Sequence, residues 1–412
     1  MNGSCTYRPF LLAGWACLGL TGCIGLHTIP GSTALQLSVD VSDPIVLHKQ
    51  DHTLLYARGT HIYLAEVSSN RLAATYYPGG EGLSGIAAIP WPMFSDDGIT
   101  NWVFGNPFTW EEPYTNSLPY FIEKGVGYAD FALGIFFSPA HLPDGRRVQF
   151  SSWASVRNGM TRQMIYTEND GATWKGPYES RYVFPETWTN TPGLLVAERP
   201  SVVTSDGTIY QAIYGGTNHL PPFSTYLYKS TDGGFTFTYV STIASPSDVP
   251  RSTDGPCEPA MIALSDTEFV CVMRTGARAG TAGISLNATS DLMYESRSTD
   301  AGLTWKKRFI SVPGVMPRLL RVSNGILVLG TGRPGNRLYF SLDDGRSWGG
   351  EINLTPIHLV MTSGYVDMLE IAPGRLFVTY DMVNASLTRF WLNEPKRYNA
   401  MMAVTIDVSR RF

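Results

Sequence analysis

The chain has 412 residues, of which 43% are hydrophobic and 16% are charged, and its formal net charge is −4. This is the composition of a globular protein with enough length for one large core or two domains. The balance is mildly acidic and the longest basic run is only Lys306-Lys307-Arg308, which argues against nucleic acid or an anionic membrane surface as the main partner.

The N-terminal segment predicts export. Arg8 precedes the apolar run PFLLAGWACLGL, which is too short to span a bilayer, and small residues follow it. Residues 1–22 are therefore predicted to be a signal peptide, and residues 23–41 a linker. The junction LTGC resembles the lipobox of bacterial lipoproteins, which implies that Cys23 is lipidated and that the protein sits in the cell envelope, periplasmic or on the outer surface, held by its lipid anchor only. A plain signal peptide cleaved nearby is the alternative.

A hairpin shape then recurs along the chain. Residues 44–59, PIVLHKQDHTLLYARG, read as an alternating strand, a tight turn and a second strand. The same shape returns at 199–216, 258–276, 317–335 and 365–383. The segment between residues 77 and 112 is long and rich in aromatic side chains, which suits sugar stacking but also suits any buried loop.

A second pattern, the repeated turn, interleaves with these hairpins. Its sequence is S/T-x-D/N-x-G-x-S/T-aromatic, in which the acid or amide accepts backbone N–H bonds, the glycine supplies a positive φ and the aromatic side chain packs on the sheet. The copies are SDDGITNW at 95–102, TENDGATW at 167–174, STDGGFTF at 230–237, STDAGLTW at 298–305 and SLDDGRSW at 341–348. In the first copy, Ile99 stands where the others have glycine.

Together the two patterns predict units of four antiparallel strands, with the repeated turn between the third and fourth strands. Such units at intervals of 43 to 72 residues indicate an all-β propeller or solenoid. We predict one six-bladed β-propeller of four-stranded antiparallel blades over residues 42–412. Its blades are expected at about 42–105, 120–180, 196–242, 256–311, 315–355 and 363–408. The last unit lacks the repeated turn, and its final strand is expected to close the ring with N-terminal residues.

Cysteines and metal-binding patterns add little. Cys257 and Cys271 fall on one predicted hairpin whose register places Cys271 opposite about Ile262, and Glu258 opposite Thr275. A direct disulfide is therefore disfavoured and two buried thiols are expected. No Cys/His cluster has the spacing of metal ligands, and neither a metal nor an organic cofactor is implied.

Strand order predicts where a site would lie. In a four-stranded meander, the turn between the first two strands and the turn between the last two lie at one edge of the sheet. The start of the first strand and the end of the second lie at the opposite edge. Three hairpins bring polar side chains to this second edge. They are Glu258 with Arg274, then Arg333 and Arg337, and finally Tyr365.

The repeated turn resembles the Asp box of the sialidase superfamily, and the polar set resembles the active site of that family. Glu258 and Arg274 match its Glu/Arg pair, Arg333 matches its next arginine with Arg337 as the alternative, and Tyr365 in GYVDMLEIAPGRLFVTYD matches its tyrosine. The resemblance implies an exo-acting retaining glycoside hydrolase that releases sialic acid or a related acidic sugar. Tyr365 would attack the anomeric carbon, Glu258 would take its proton and the arginines would hold the substrate carboxylate.

This chemistry is consistent with the residue types. A carboxylate nucleophile would be repelled by a carboxylate on the anomeric carbon, whereas a neutral phenol would not, and tyrosine is a known exception among retaining glycosidases. Arginine binds carboxylates through two parallel hydrogen bonds.

The sequence departs from the family pattern in the first blade. The expected Arg-x-Pro is replaced by VSDPIVL, with Asp43 before Pro44, and Arg58 is the predicted substitute. Arg199, in ERPSVV, has the right residue type in another blade.

No first-blade aspartate is evident as the acid/base, for which Glu81 and Asp130 are the candidates. Because activity requires that group, the alternative function is a non-catalytic glycan-binding or envelope propeller. Fold alone does not decide between the two.

Overall fold

The structure is a computed structural model, and it describes the parts of the chain given by the following ranges. They are residues 25–27, 36–51, 61–77, 91–105, 107–111, 138–150, 153–155, 161–186, 194–197, 199–216, 221–276, 292–333, 335–355, 364–384 and 398–411. The predicted signal peptide lies outside them.

Strands make up almost all the regular structure of the described residues. The first are β1 (Gly25–His27), β2 (Gln36–Val41), β3 (Ile45–Asp51), β4 (His61–Ser68), β5 (Arg71–Tyr77), β6 (Trp91–Ser95), β7 (Val103–Phe104), β8 (Ala140–His141) and β9 (Arg147–Phe150). The next are β10 (Trp153–Ser155), β11 (Thr161–Thr167), β12 (Lys175–Val183), β13 (Leu194–Val196), β14 (Val202–Val203), β15 (Ile209–Gly216), β16 (Ser224–Ser230), β17 (Thr236–Ala244) and β18 (Cys257–Ala263). The last are β19 (Phe269–Arg274), β20 (Leu292–Ser298), β21 (Lys306–Pro313), β22 (Val315–Arg321), β23 (Leu327–Gly332), β24 (Asn336–Ser341), β25 (Gly349–Asn353), β26 (Val366–Ala372), β27 (Arg375–Asn384) and β28 (Tyr398–Arg411). A 3₁₀ helix, Pro246–Asp248, lies between β17 and β18.

These strands form five sheets. Three are four-stranded, with strands adjacent in chain order: β4 to β7, β18 to β21 and β22 to β25. A ten-stranded sheet contains β8 to β17, where β12 pairs in parallel with β17 and β10 pairs with β13. The three simple sheets agree with the predicted four-stranded unit.

The sixth-unit prediction is confirmed in one respect, because the last strand pairs with N-terminal residues. β28 pairs with β27 on one edge and with β2 and β3 on the other, antiparallel in each case. β28 has 14 residues, so its outer edge has room for both N-terminal strands and its backbone groups are not left unpaired.

This pairing corrects two predictions for the N-terminal region. Residues 36–41, assigned to a linker, are β2, and residues 25–27 pair with them as β1. The first arm of the hairpin predicted at 44–59 is β3, which pairs with β28 instead of starting the first unit. The first four-stranded sheet begins at β4. An alternating strand fits any half-buried edge, so its pattern does not identify the partner.

The repeated turns have the predicted bonding. In the copy at 230–237, Ser230 Oγ donates to Asp232 Oδ1 at 2.7 Å, and Asp232 Oδ1 accepts from the backbone N–H of Thr236 at 2.9 Å. The backbone N–H of Gly234 donates to Ser230 Oγ at 2.9 Å. The copies at 167–174, 298–305 and 341–348 repeat this arrangement.

Two adjacent residues of each complete turn are left-handed, at positions four and five. Gly233 and Gly234 have φ of 79° and 101°, and in the next copy Ala301 has 55° and Gly302 has 84°. The degraded copy keeps only the fourth, Gly98 at 84°, and the three following backbone N–H groups all donate to Asp97. This explains why the turn forms without glycine at its fifth position.

The turns lie at one edge of each sheet, as predicted. In the sheet of β18 to β21, the backbone N–H of Ala301 in the repeated turn donates to the carbonyl of Thr267 in the first turn at 2.9 Å. A Cβ at Gly302 would overlap Leu227 of the preceding sheet, so this turn packs closely against its neighbour. The ends of β19 and the starts of β18 and β22 lie at the opposite edge.

Buried side chains pack between neighbouring sheets. One cluster joins the sheet of β18 to β21 to that of β22 to β25, and it includes Ala260, Val272, Met293, Leu319, Leu327 and Leu329. A second joins the sheet of β22 to β25 to that of β26 to β28, and it includes Val328, Phe340, Val366, Val378 and Val404. No helix within the described ranges is long and apolar enough to cross a bilayer.

Candidate functional site

The starts of β18 and β22 carry the same backbone irregularity. Glu258 and Met316 both have φ of 48°, and each is followed by a proline. The register shifts between Cys257 and Ala260 in one sheet, and at the equivalent place in the next. Left-handed non-glycine residues are uncommon and often mark functional sites, because the surrounding structure must hold them there.

The register of the β18–β19 hairpin differs from the prediction both at its turn and at this bulge. Near the turn, Cys271 faces Met261 rather than Ile262, and beyond the bulge Cys257 faces Arg274, so Glu258 lies within the bulge and not opposite Thr275 as predicted. The extra residue of the bulge shifts the pairing by one further position. Cys257 and Cys271 are both buried thiols that are not joined to each other, as expected.

Arg274 lies between two carboxylates. Its Nη1 donates to Glu258 Oε1 at 2.5 Å, and its Nη2 donates to Asp254 Oδ2 at 2.8 Å. The second oxygen of Glu258 accepts the backbone N–H of Met316 at 2.8 Å. Burial opposes the charge of Arg274, but Glu258, then Cys257, Tyr365 and Asp254, outweigh it and raise the pKa of Arg274 above its usual range. The predicted Glu258–Arg274 pair is therefore present, and it includes a third group.

Asp254 was missed by sequence reasoning. It belongs to the connection between β17 and β18, outside the hairpin patterns that indicated the other residues. Its only sequence signal is its position four residues before Glu258.

Tyr365 and Arg333 meet at the same edge. Arg333 Nη2 lies 3.5 Å from the Tyr365 hydroxyl, and its Cζ lies 5.6 Å from the ring centroid, within cation–π range. A Cβ at Gly332 would overlap Gly364, so glycine at both positions lets the end of β23 approach the residues before β26. This close approach brings the two side chains together.

The Tyr365 ring is 3% exposed and belongs to a buried cluster that spans several sheets. Members of this cluster include Tyr63, Phe108, Trp174, Val315 and Met316. Met316 therefore contributes its side chain to the cluster that contains Tyr365 and its backbone N–H to Glu258. This links the tyrosine to the Glu258–Arg274–Asp254 group.

Arg199 reaches this group from the ten-stranded sheet. Its Nε donates to the carbonyl of Pro317 at 2.6 Å and its Nη2 to that of Met316 at 2.7 Å. The residue that seemed misplaced in the sequence thus contacts the backbone next to Glu258. Its guanidinium joins two sheets that are not consecutive in the chain.

A family model described as "BNR repeat-like domain" matches residues 139–348, just over half of the chain. The chain belongs to this BNR repeat-like family. No curated protein sequence matches it significantly.

Solved structures similar to this BNR repeat-like protein include propeller glycosidases. A Dyadobacter fermentans protein of unknown function has a TM-score of 0.57 and 16% identity over 89% of this chain and 99% of that one. Penicillium chrysogenum α-L-arabinanase, complexed with arabinobiose, has a TM-score of 0.53 and 13% identity over 88% of this chain and 98% of that one. Trypanosoma rangeli sialidase, in complex with the inhibitor DANA, has a TM-score of 0.52 and 10% identity over 85% of this chain and 55% of that one. At these identities the likeness concerns the fold, which is all-β and sialidase-like.

A buried ion pair lies two residues inward from this edge. Arg318 Nε donates to Asp367 Oδ1 at 2.6 Å, and the other oxygen of Asp367 accepts the backbone N–H of Leu64 at 2.8 Å. Burial lowers the pKa of Arg318 against the opposing effect of Asp367, and Arg199 lowers it further. The pair connects three sheets of the BNR fold below the candidate site.

Arg337, the alternative to Arg333, points elsewhere. Its Nη1 donates to the Tyr339 hydroxyl at 3.2 Å and lies 3.4 Å from Glu351 on β25. Arg337 sits within β24, where its side chain is directed toward this neighbouring strand. These contacts direct Arg337 away from the Tyr365 hydroxyl that Arg333 approaches, and its binding of substrate stays a prediction.

The remaining predicted residues, Cys23, Arg58, Glu81 and Asp130, lie outside the described ranges. Among the residues that the structure does describe, no group of His, Cys, Asp and Glu could hold a metal ion.

A small polar cavity lies within the ten-stranded sheet. Its lining includes Gln149, Arg162, Arg199, Ser201 and Gln211. Three of these residues are hydrogen-bonded to one another, because Arg162 Nη1 donates to Gln211 Oε1 at 2.6 Å and Gln211 Nε2 donates to Ser201 Oγ at 2.7 Å. Both polar side-chain atoms of Gln149, also in the lining, are buried and have no hydrogen-bond partner among the described residues.

Proposed function

We propose that this BNR protein is an exo-acting retaining glycoside hydrolase that releases sialic acid or a related acidic sugar from glycans. The observation that carries the proposal is the Tyr365 hydroxyl, 3.5 Å from the Arg333 guanidinium, at the sheet edge where Glu258 pairs with Arg274. The proposed architecture is a six-bladed propeller of four-stranded blades. In it the ten-stranded sheet counts as two blades, and β26 to β28 with β2 form the last.

The proposed chemistry assigns one step to each group. Tyr365 attacks the anomeric carbon as the glycosidic bond to the leaving oxygen breaks, Glu258 takes the phenolic proton, and the acid/base, for which Glu81 and Asp130 are the candidates, protonates the leaving oxygen. The positive charge of Arg333 favours the negative charge that develops on the phenol oxygen as the proton leaves. Water then hydrolyses the glycosyl-tyrosine intermediate. Glu258 is held for this role by Arg274 and by the N–H of Met316, which fix both of its oxygens.

Substrate binding is assigned to Arg274 and Arg333, with Arg58 as a third arginine. Guanidinium groups hold a carboxylate through charge-assisted hydrogen bonds. The acid/base is assigned to the first part of the chain, with Glu81 and Asp130 as candidates.

The test is release of a fluorogenic sialoside by the purified protein and by Tyr365→Phe. We expect turnover by the parent protein and none by the variant. Tyr380→Phe, which removes a hydroxyl from a buried tyrosine of β27, is the matched control and should keep full activity. Absence of turnover on every acidic glycoside tried would overturn the proposal.

A second candidate is a non-catalytic glycan-binding propeller. It is favoured by Asp254 and Glu258, because both carboxylates of the described site already bind Arg274 and neither is placed as an acid/base. Glycan binding without turnover, unchanged in Tyr365→Phe, would select this function.

We also propose export and lipidation at Cys23, with glycans as the partner and the lipid anchor as the only membrane contact. Metabolic labelling with an alkyne fatty acid tests it, since Cys23→Ser should abolish the label and release the protein from the membrane fraction. A parent protein that takes up no fatty-acid label and is found in the soluble fraction would overturn it.

A further inference from the structure

Asp254 and Glu258 share Arg274 but differ in exposure. The side chain of Glu258 is 9% exposed and that of Asp254 is 26% exposed. Glu258 is hydrogen-bonded through both oxygens, whereas the other oxygen of Asp254 accepts, from the residues that the structure describes, only the hydroxyl of its neighbour Thr253 at 3.2 Å. Asp254 is therefore the more accessible and less constrained of the two carboxylates.

The backbone around Asp254 is fixed. The N–H of Phe223 donates to the carbonyl of Asp254 at 2.7 Å, and Thr225 Oγ1 donates to the carbonyl of Pro256 at 2.8 Å. Ser252 Oγ donates to the carbonyl of Thr275 and accepts the N–H of Gly255. Asp254 can therefore leave Arg274 by rotating its side chain alone, without a movement of the loop.

Charge makes this contact a competitor for an anionic ligand. Two carboxylates surround one guanidinium, so the group of Asp254, Glu258 and Arg274 carries a net charge of about −1 when all three are ionised. A substrate carboxylate that approaches Arg274 meets this negative charge, and Nη2 of Arg274 is already hydrogen-bonded to Asp254. Like charges that share a site disfavour each other.

We propose that Asp254 occupies the place on Arg274 that the carboxylate of an acidic sugar takes on binding. Binding then requires Asp254 to turn away from Nη2. This inference rests on the proposed function, because it takes Arg274 as a carboxylate-binding residue. Asp254 then determines specificity, because only a ligand with its own carboxylate restores the free energy that is lost when Asp254 leaves Arg274.

The direction of the effect separates this inference from a merely structural role. If Asp254 only held Arg274 in place, its removal would weaken anion binding. If it competes with the ligand, its removal strengthens anion binding and leaves neutral sugars unaffected.

The experiment is calorimetric titration of the full-length protein with N-acetylneuraminic acid and, as a neutral probe, L-arabinose. We expect Asp254→Asn and Asp254→Ser to bind the acidic sugar about tenfold more tightly than the parent protein, as expected for one charge-assisted hydrogen bond regained. Asp248→Asn is the matched control. Its carboxylate lies in the same connection, is 22% exposed and pairs with Lys307 at 2.9 Å, so its loss should leave the affinity unchanged.

Two results would overturn the inference. Weaker or equal binding of the acidic sugar by both Asp254 variants, with unchanged thermal unfolding, would contradict it while leaving hydrolysis by the parent protein possible. Failure of the parent protein and both variants to bind any acidic sugar would overturn it together with the acidic-sugar proposal. Binding that tightens in the variants without any turnover supports the inference and contradicts the hydrolase proposal alone.

Discussion

The backbone N–H of Met316 donates a 2.8 Å hydrogen bond to Glu258 Oε2, which joins the starts of two neighbouring sheets. Both residues have φ of 48° and precede proline. The same left-handed backbone conformation before proline therefore occurs in both sheets, and it directs the N–H of Met316 in one sheet to the carboxylate of Glu258 in the other. Since Arg274 holds the remaining oxygen of Glu258, the carboxylate has a fixed orientation beside the buried cluster that contains Tyr365.

We expect Glu258→Gln to lower kcat by about 100-fold or more while changing KM little, because a positioned proton acceptor contributes on that scale. Steady-state kinetics on a fluorogenic glycoside measures it. Glu268→Gln is the control, since Glu268 pairs with Arg297 at 2.7 Å at the opposite edge of the same sheet. Equal losses in both variants would assign the effect to sheet stability and not to the site.

We expect Gly332→Ala to reduce activity by more than its loss of folding stability can explain. The added methyl would overlap Gly364 and separate Arg333 from Tyr365. The stability loss should be about 1–3 kcal/mol, as for other overpacked positions. Gly330→Ala, two residues earlier in β23, meets only side-chain atoms and should keep activity. Chemical denaturation and kinetics on the same samples separate the two effects, and parallel losses in both variants would contradict the role assigned to Gly332.

The patterns that the sequence predicted well are local. The repeated turns depend on an acid, a hydroxyl and glycine within eight residues, so their bonding could be foreseen. Strand order placed Glu258, Arg274, Arg333, Arg337 and Tyr365 at one edge, and the preference for Arg333 over Arg337 came from the family resemblance.

What the sequence did not predict depends on tertiary contacts. The bulge at Glu258 moves the register by one residue, and its left-handed backbone is held by partners such as Met316 from another sheet. Asp254 reaches Arg274 from an irregular connection, for which no periodic pattern exists. The strands β2 and β3 were misassigned because the long outer edge of β28, a tertiary feature, selects them.

We expect the repeated turns to make stability depend on acid pH. The hydroxyl of Thr304, then its N–H, and the hydroxyl of Ser298 lower the pKa of Asp300 from 3.8 to about 2. The folded-state pKa is depressed, so the stabilisation is present above about pH 4 and is lost as pH falls toward 2. Urea unfolding from pH 5 to pH 2 should show the difference between the parent protein and Asp300→Ala shrinking over that window. A difference that stays constant would contradict this account.

We expect Asp367→Ala to destabilise the protein by about 3–5 kcal/mol, because it leaves Arg318 buried without its carboxylate. Both side chains are under 10% exposed, and Arg199 adds a second positive charge nearby. Asp407→Ala is the comparison. It breaks an exposed pair with Arg375 at 3.8 Å and should cost at most about 1 kcal/mol. Denaturant titration measures both, and similar losses would mean that the pair of Asp367 is not desolvated as the structure has it.

We expect Gln149→Met and Gln211→Met to have opposite consequences, although both glutamines line the same cavity. Gln149 is 1% exposed and neither polar atom of its side chain has a partner within the described part of the chain, so an apolar side chain of similar length should be neutral or stabilising. Gln211 accepts from Arg162 and Tyr182 and donates to Ser201, so its loss leaves buried polar groups unsatisfied and should cost about 1–3 kcal/mol. Thermal and urea unfolding test the contrast. A clear destabilisation by Gln149→Met would mean that an ordered water satisfies its amide, because a cavity lined on one side by bonded polar groups can hold one where two or more partners converge.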